Sequence, residues 1–163
     1  MLNSYSSFQI IIINILFIII WNIIIFIFSI NINKKKLNPN RYIFKEKTWE
    51  KSGKFYTKIL HIKKWKDSLP QHIGKNGFSK RHLTNISHLS IDYIQQFILE
   101  TCRAEWNHLM CCLFIFISFL INSLNYALIF SLVSIITNIP FIFIQRYNRI
   151  RLNKLLKRKL NTE

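Results

Sequence analysis

The chain has 163 residues, half of them hydrophobic and 15% aromatic, and carries 23 Lys+Arg against 7 Asp+Glu, a formal net charge of +16. Such apolar content excludes a disordered polybasic tail. The apolar residues fall in uninterrupted runs instead of recurring every two or about 3.6 positions, which argues against a soluble basic domain. The length admits one domain, part of which must lie in lipid.

In chain order, the first element is an apolar stretch from Phe8 to Ile32 that holds no ionisable residue. It exceeds the roughly 20 residues needed to cross a hydrocarbon core. The nine residues up to Gln9 hold no Lys or Arg and no small-residue cleavage site follows, so the pattern predicts a transmembrane helix over residues 1–33, not a cleaved signal peptide.

Residues 34–89 form a basic segment with all three glycines, Gly53, Gly74 and Gly77. Between Trp49 and Ile62, the residues Phe55, Tyr56, Ile59, Leu60 and Ile62 share one helical face and Lys51, Lys54 and Lys58 another. That amphipathic pattern predicts an interfacial helix on anionic lipid, broken before Lys63 and ended by a turn at Pro70. Basic residues interleaved with aromatics also occur in nucleic-acid readers, but no such motif accompanies them. The lipid surface is the polyanion at hand, so the expected partner is membrane lipid and not nucleic acid.

Residues 90–152 open with Ser90 as a candidate N-cap and continue with an apolar stripe of Tyr93, Ile94, Phe97, Ile98 and Cys102. On this helix Glu100 and Arg103, and likewise Glu105 and His108, are three residues apart and therefore neighbours. A carboxylate beside an imidazole suits general-base catalysis on a hydroxyl. It suits a structural hydrogen bond at a membrane boundary equally well. Two further apolar runs, 110–121 and 126–144, flank the turn Asn122 to Asn125 and predict a helical hairpin. The first run is short for a crossing unless Trp106 to Leu109 extends it, and a re-entrant pair is the alternative. In the last run Gln145 and Arg149 each fall within about 20° of Asn138 on a helical projection, and Pro140 predicts a kink. These residues serve either as interhelical glue and interface anchor or, because both hairpin arms meet the same interface, as part of one site with Glu105 and His108. Residues 153–163 read as a basic tail.

Charge sets the expected orientation. Residues 33–108 carry +10 and residues 146–163 carry +6, while the first nine residues and the hairpin turn carry none. Three crossings place both basic segments on one side, which the positive-inside bias makes cytoplasmic, with the N-terminus outside a bacterial cell membrane. The fold class expected is therefore all-α, an integral membrane protein with an N-terminal span, a C-terminal hairpin and a basic amphipathic cytoplasmic segment. The three cysteines, Cys102, Cys111 and Cys112, show no CxxC spacing and predict neither a disulfide framework nor a metal site.

Four stretches carry a resemblance: Lys63-Lys64-Trp65-Lys66-Asp67-Ser68-Leu69-Pro70; Gly77-Phe78-Ser79-Lys80-Arg81-His82-Leu83; Glu100-Thr101-Cys102-Arg103-Ala104-Glu105 with His108; and Asn138-Ile139-Pro140 followed by Gln145-Arg146-Tyr147-Asn148-Arg149. In this order, over roughly residues 41 to 152, they resemble the glycosyl-4,4'-diaponeurosporenoate acyltransferase family of staphyloxanthin-type carotenoid biosynthesis. Ile150 stands where that family usually has Pro, and Leu109 where it usually has Trp.

The resemblance implies transfer of a fatty acyl group to the primary hydroxyl of a sugar on a C30 carotenoid acid. Within that reaction our own assignment makes His108 the general base and Glu105 its orienting carboxylate. Arg103, Arg146 or Asn138 would stabilise the oxyanion or bind sugar hydroxyls, and Glu100, Gln145, Asn148 and Arg149 complete the substrate-binding set. Lys63, Lys64 and Lys80 would meet the phosphates of an acyl-coenzyme A or acyl-carrier-protein donor, with no bound cofactor. Expected partners are membrane lipid, the glycosylated carotenoid and other enzymes of the pathway. The competing readings are a non-catalytic polybasic scaffold and an acyltransferase for another glycolipid.

Overall fold

The computed structural model describes residues 5–69 and 90–161. Pro70, Gly74, Lys80 and the stretch 77–83 lie outside the described residues. All regular structure among the described residues is helical: α1 (Ser7–Asn31), α2 (Ile62–Trp65), α3 (Ile91–Cys112), α4 (Phe114–Ile121) and α5 (Leu124–Leu160), with shorter turns between α1 and α2. Three stretches are long and apolar enough to cross a membrane, Ser7–Asn31, Ile91–Ile121 and Leu124–Leu160. The protein is thus an all-α membrane protein, and the chain divides into two compact units.

The first unit joins α1 to residues 105–142. Most of α1 is an exposed Ile and Phe surface suited to lipid, while Ile10 and Asn14 are buried. Ile10 packs with Phe114 and Phe130, and Trp21 lies at the edge of that cluster. The short apolar run 110–121 is completed by the helix before it, since α3 and α4 form one stretch interrupted only at Leu113. There the ladder tightens, with Leu113 N–H bonding the Met110 carbonyl at 3.1 Å and Phe116 N–H the Leu113 carbonyl at 3.1 Å. A carbonyl exposed by such a break has no water to bond within lipid. The Met110 carbonyl also accepts from the Trp21 indole at 3.2 Å, and the Cys111 carbonyl accepts from the Ser134 hydroxyl at 3.2 Å.

The hairpin turn is held in the same way. Asn14 and Asn122 exchange two amide hydrogen bonds of 2.9 and 2.8 Å, and Asn122 also donates to the Ser118 carbonyl at 3.1 Å. The start of α1 and the hairpin turn therefore lie at one end of this unit. α5 continues through Pro140. Thr137 directs its hydroxyl to the Val133 and Ser134 carbonyls one turn back, at 2.8 and 3.1 Å.

The second unit joins residues 32–104 to residues 143–163, of which 143–161 are described. Ser90 caps α3 as expected, its hydroxyl accepting from Tyr93 N–H at 3.2 Å. Ile94 and Ile98 from the predicted stripe are buried against Leu152. α5 runs on to Leu160, so most of the expected tail is helix.

The single amphipathic helix expected from Trp49 to Ile62 does not form. In its place a 3-10 turn (Thr48–Gly53) reverses at Lys51, Ser52 and Gly53, which take positive φ of 46°, 56° and 86°. A π-helical turn (Phe55–Ile59) and left-handed His61 then lead into α2. Of the expected apolar face Ile59 stays exposed, while Phe55 and Leu60 are half-buried. Tyr56 and Ile62 are fully buried and pack on Ile144, Tyr147 and Ile150 of α5. The reversal brings Glu50 and Tyr56 to a single guanidinium, a demand that helical periodicity cannot express.

Candidate functional site

His108 lies on α3, on the portion of that helix within the first unit. Its Nδ1 is 2.8 Å from Asn138 Oδ1 on α5, and Phe141, one turn further on, stacks on the ring with centroids 4.7 Å apart and planes within 9°. Asn138 donates its Nδ2 to the Ser134 carbonyl at 2.8 Å. The imidazole is thereby fixed by a hydrogen bond in its plane and an aromatic face against it. Its hydrogen-bond partner is Asn138 and not Glu105, the carboxylate expected to orient it; Glu105 is itself almost fully buried. A three-residue spacing makes two side chains neighbours on a helix, but each follows the packing of its own side of that helix.

The second unit puts the arginines of the Gln145 to Arg149 motif to a structural use. Arg146 grips Glu50 through both carboxylate oxygens, Nε to Oε1 at 2.9 Å and Nη2 to Oε2 at 2.9 Å. Nη1 donates to the Ile43 carbonyl at 3.0 Å, and Nη2 also donates to the Lys45 carbonyl at 3.1 Å. Tyr56 hydroxyl and the Lys47 backbone N–H also donate to Glu50. Arg149 donates to the Phe44 carbonyl at 3.1 Å and lies 5.6 Å from the Phe44 ring centre. Arg146 fastens residues 43–50 to α5, because a buried carboxylate without a cation would cost several kcal/mol.

Burial alone pushes the Glu50 carboxyl up. The hydrogen bonds from Arg146, Tyr56 and Lys47, together with the Arg146 charge, outweigh that and hold it below its ordinary value of 4.5. The Tyr56 hydroxyl is pushed strongly up by burial and by Glu50, so it remains a donor.

Of the other expected site residues, Glu100 and Arg103 pair as their spacing predicts, Nη1 to the two carboxylate oxygens at 2.6 and 2.8 Å. Gln145 and Asn148 are half-buried on α5, and Lys63 and Lys64 are exposed on α2. Among the described residues no group of three or more His, Cys, Asp or Glu gathers to hold a metal. Glu50, Ser134 and Phe141 were not singled out by sequence, and Tyr56 only as part of an apolar face. The one available signal was Arg146 itself, a cation following directly on an apolar run, which calls for a counter-charge elsewhere.

Comparison with known proteins agrees with these motifs. The family model described as glycosyl-4,4'-diaponeurosporenoate acyltransferase matches residues 39–158. A relative of that name from Staphylococcus aureus strain MRSA252 is 36% identical over 129 residues, 76% of this chain and 73% of the relative. Its counterpart from strain N315 is 36% identical over 133 residues, 73% of this chain and 74% of the relative. No solved structure matches. With its apolar spans and the family motifs in order, this chain belongs to the glycosyl-4,4'-diaponeurosporenoate acyltransferase family, a family of membrane acyltransferases.

Proposed function

We propose that this protein esterifies a fatty acyl group onto the primary hydroxyl of the sugar of a glycosylated C30 carotenoid acid, with His108 as general base. The observation that carries the assignment of the base is the immobilised ring of His108, hydrogen-bonded by Asn138 and stacked on Phe141. A base held in one orientation needs no reorganisation when the proton moves. In this reading the carotenoid lies in the bilayer with its sugar at the interface. The sugar oxygen attacks the carbonyl of an acyl thioester, its proton passes to His108, and collapse of the tetrahedral adduct expels the donor thiol, which takes that proton back.

The donor is an acyl-coenzyme A or acyl-carrier protein, whose phosphates Lys63, Lys64 and Lys80 would meet. The charge distribution supports a cell-membrane location with both basic segments cytoplasmic and the N-terminus outside. Carotenoids extracted from cells that express the chain and make the glycosylated acid should show an added fatty acyl mass, and His108→Gln should abolish it. No acyl increment with the protein present in the membrane would sink the assignment. Survival of activity in His108→Gln with loss on neutralising several surface lysines would favour the scaffold reading.

A further inference from the structure

We infer that Asn138 is a positioning residue that keeps the proton of neutral His108 on Nδ1 and so leaves the Nε2 lone pair for the substrate hydroxyl. The inference rests on the reading of His108 as base and adds to it which nitrogen acts and what selects it. A backbone carbonyl can only accept a hydrogen bond, so the end of the Asn138 amide that faces the Ser134 carbonyl at 2.8 Å must be its NH2 group. The other end, 2.8 Å from the ring, is then the oxygen, which also only accepts. A close contact with that oxygen requires a proton on Nδ1, and in a neutral imidazole Nε2 is then the acceptor. Turning the ring over would put a C–H against Asn138 Oδ1 and lose the bond.

The position of Asn138 is itself set by its surroundings. Three polar contacts join the two arms of the hairpin in antiparallel steps: Ser118 hydroxyl to the Ala127 carbonyl at 3.2 Å, Ser134 hydroxyl to the Cys111 carbonyl at 3.2 Å, and His108 to Asn138. Ser134 thus holds α5 against the neighbouring arm through its hydroxyl and orients Asn138 through its carbonyl. The register that closes the hairpin also delivers the amide oxygen to Nδ1.

The test is nitrogen NMR on the full chain, labelled with [15N]histidine, in lipid nanodiscs at a pH where His108 is neutral, its signals identified by their loss in His108→Gln. The wild type should show a protonated Nδ1 and an unprotonated Nε2. Asn138→Leu should move the proton toward Nε2 and lower kcat about 10²- to 10³-fold, less than the ~10⁴-fold known where a wrong tautomer disables a catalytic triad, with KM little changed. Asn138→Asp, which keeps an acceptor oxygen toward the ring but loses the donor to the Ser134 carbonyl, should restore the Nδ1 proton but only part of kcat. A wild-type spectrum with the proton on Nε2 overturns the proposal, as does an Asn138→Leu protein with unchanged tautomer and kcat. If His108→Gln still transfers acyl groups, the base assignment fails, and the wild-type spectrum still decides whether Asn138 sets the tautomer.

Discussion

Glu50 and Arg146 form a buried ion pair, with side chains 0% and 8% exposed. Such a pair contributes little over an apolar replacement, yet removing one partner strands the other charge. Arg146→Met should therefore destabilise the second unit by about 3–5 kcal/mol, whereas Tyr56→Phe, which removes one hydrogen bond to the carboxylate, should cost about 1–3 kcal/mol. Thermal unfolding of the full chain in detergent would measure both. The acid dependence follows from the same cluster. Because the Glu50 pKa is lower in the folded protein, its contribution is complete above the ordinary carboxylate value and is lost as pH falls through the folded value. Trp49 and Trp65 fluorescence should report loss of this unit at acid pH, and Glu50→Gln should flatten that dependence. The Arg146–Glu50 clamp was not legible in the sequence, because 96 positions separate its partners and Glu50 reads locally as one more surface charge among lysines.

At the scale of elements, polar groups lock the hairpin and α1 together beside the Ile10, Phe114 and Phe130 cluster, because apolar side chains gain little hydrophobic free energy by leaving lipid for one another. The reciprocal pair Asn14 and Asn122 is the clearest case. Asn14→Leu should weaken the attachment of α1 by about 1–2 kcal/mol, and Ser134→Ala the hairpin by about 0.6 kcal/mol. Unfolding in graded SDS would show this, and Asn14→Leu with Asn122→Leu should be less destabilising than the two single changes added together. Equal and additive losses would mean that the two amides do not depend on each other. The spans themselves were legible in the sequence, because a bilayer imposes its demand residue by residue along the run. The broken segment 48–62 was not. Its apolar residues keep helical spacing, but three consecutive positive φ values, two of them at Lys51 and Ser52, are imposed by what the segment must reach.

At the scale of the molecule, both basic segments belong mainly to the second unit, while α1 and the hairpin turn share an uncharged end of the first. The expected topology can be read with cysteines at exposed positions, after Cys102, Cys111 and Cys112 are changed to Ala. A membrane-impermeant maleimide should label Ser6→Cys and Asn125→Cys in intact cells, and Lys51→Cys and Lys157→Cys only after lysis. The opposite pattern would reverse the orientation drawn from charge.

The sequence alone determined the three apolar spans, the segregation of +16 into two segments, the Ser90 cap, the pairing of Glu100 with Arg103 and, through its motifs, the family. Each of these is a local property, written within a few turns of helix or within one apolar run. Only the tertiary structure decided that Asn138 and not Glu105 holds His108, and that Arg146 serves Glu50. Those choices depend on the register of one helix against another and on which buried charge finds a partner, neither of which any short stretch of sequence contains.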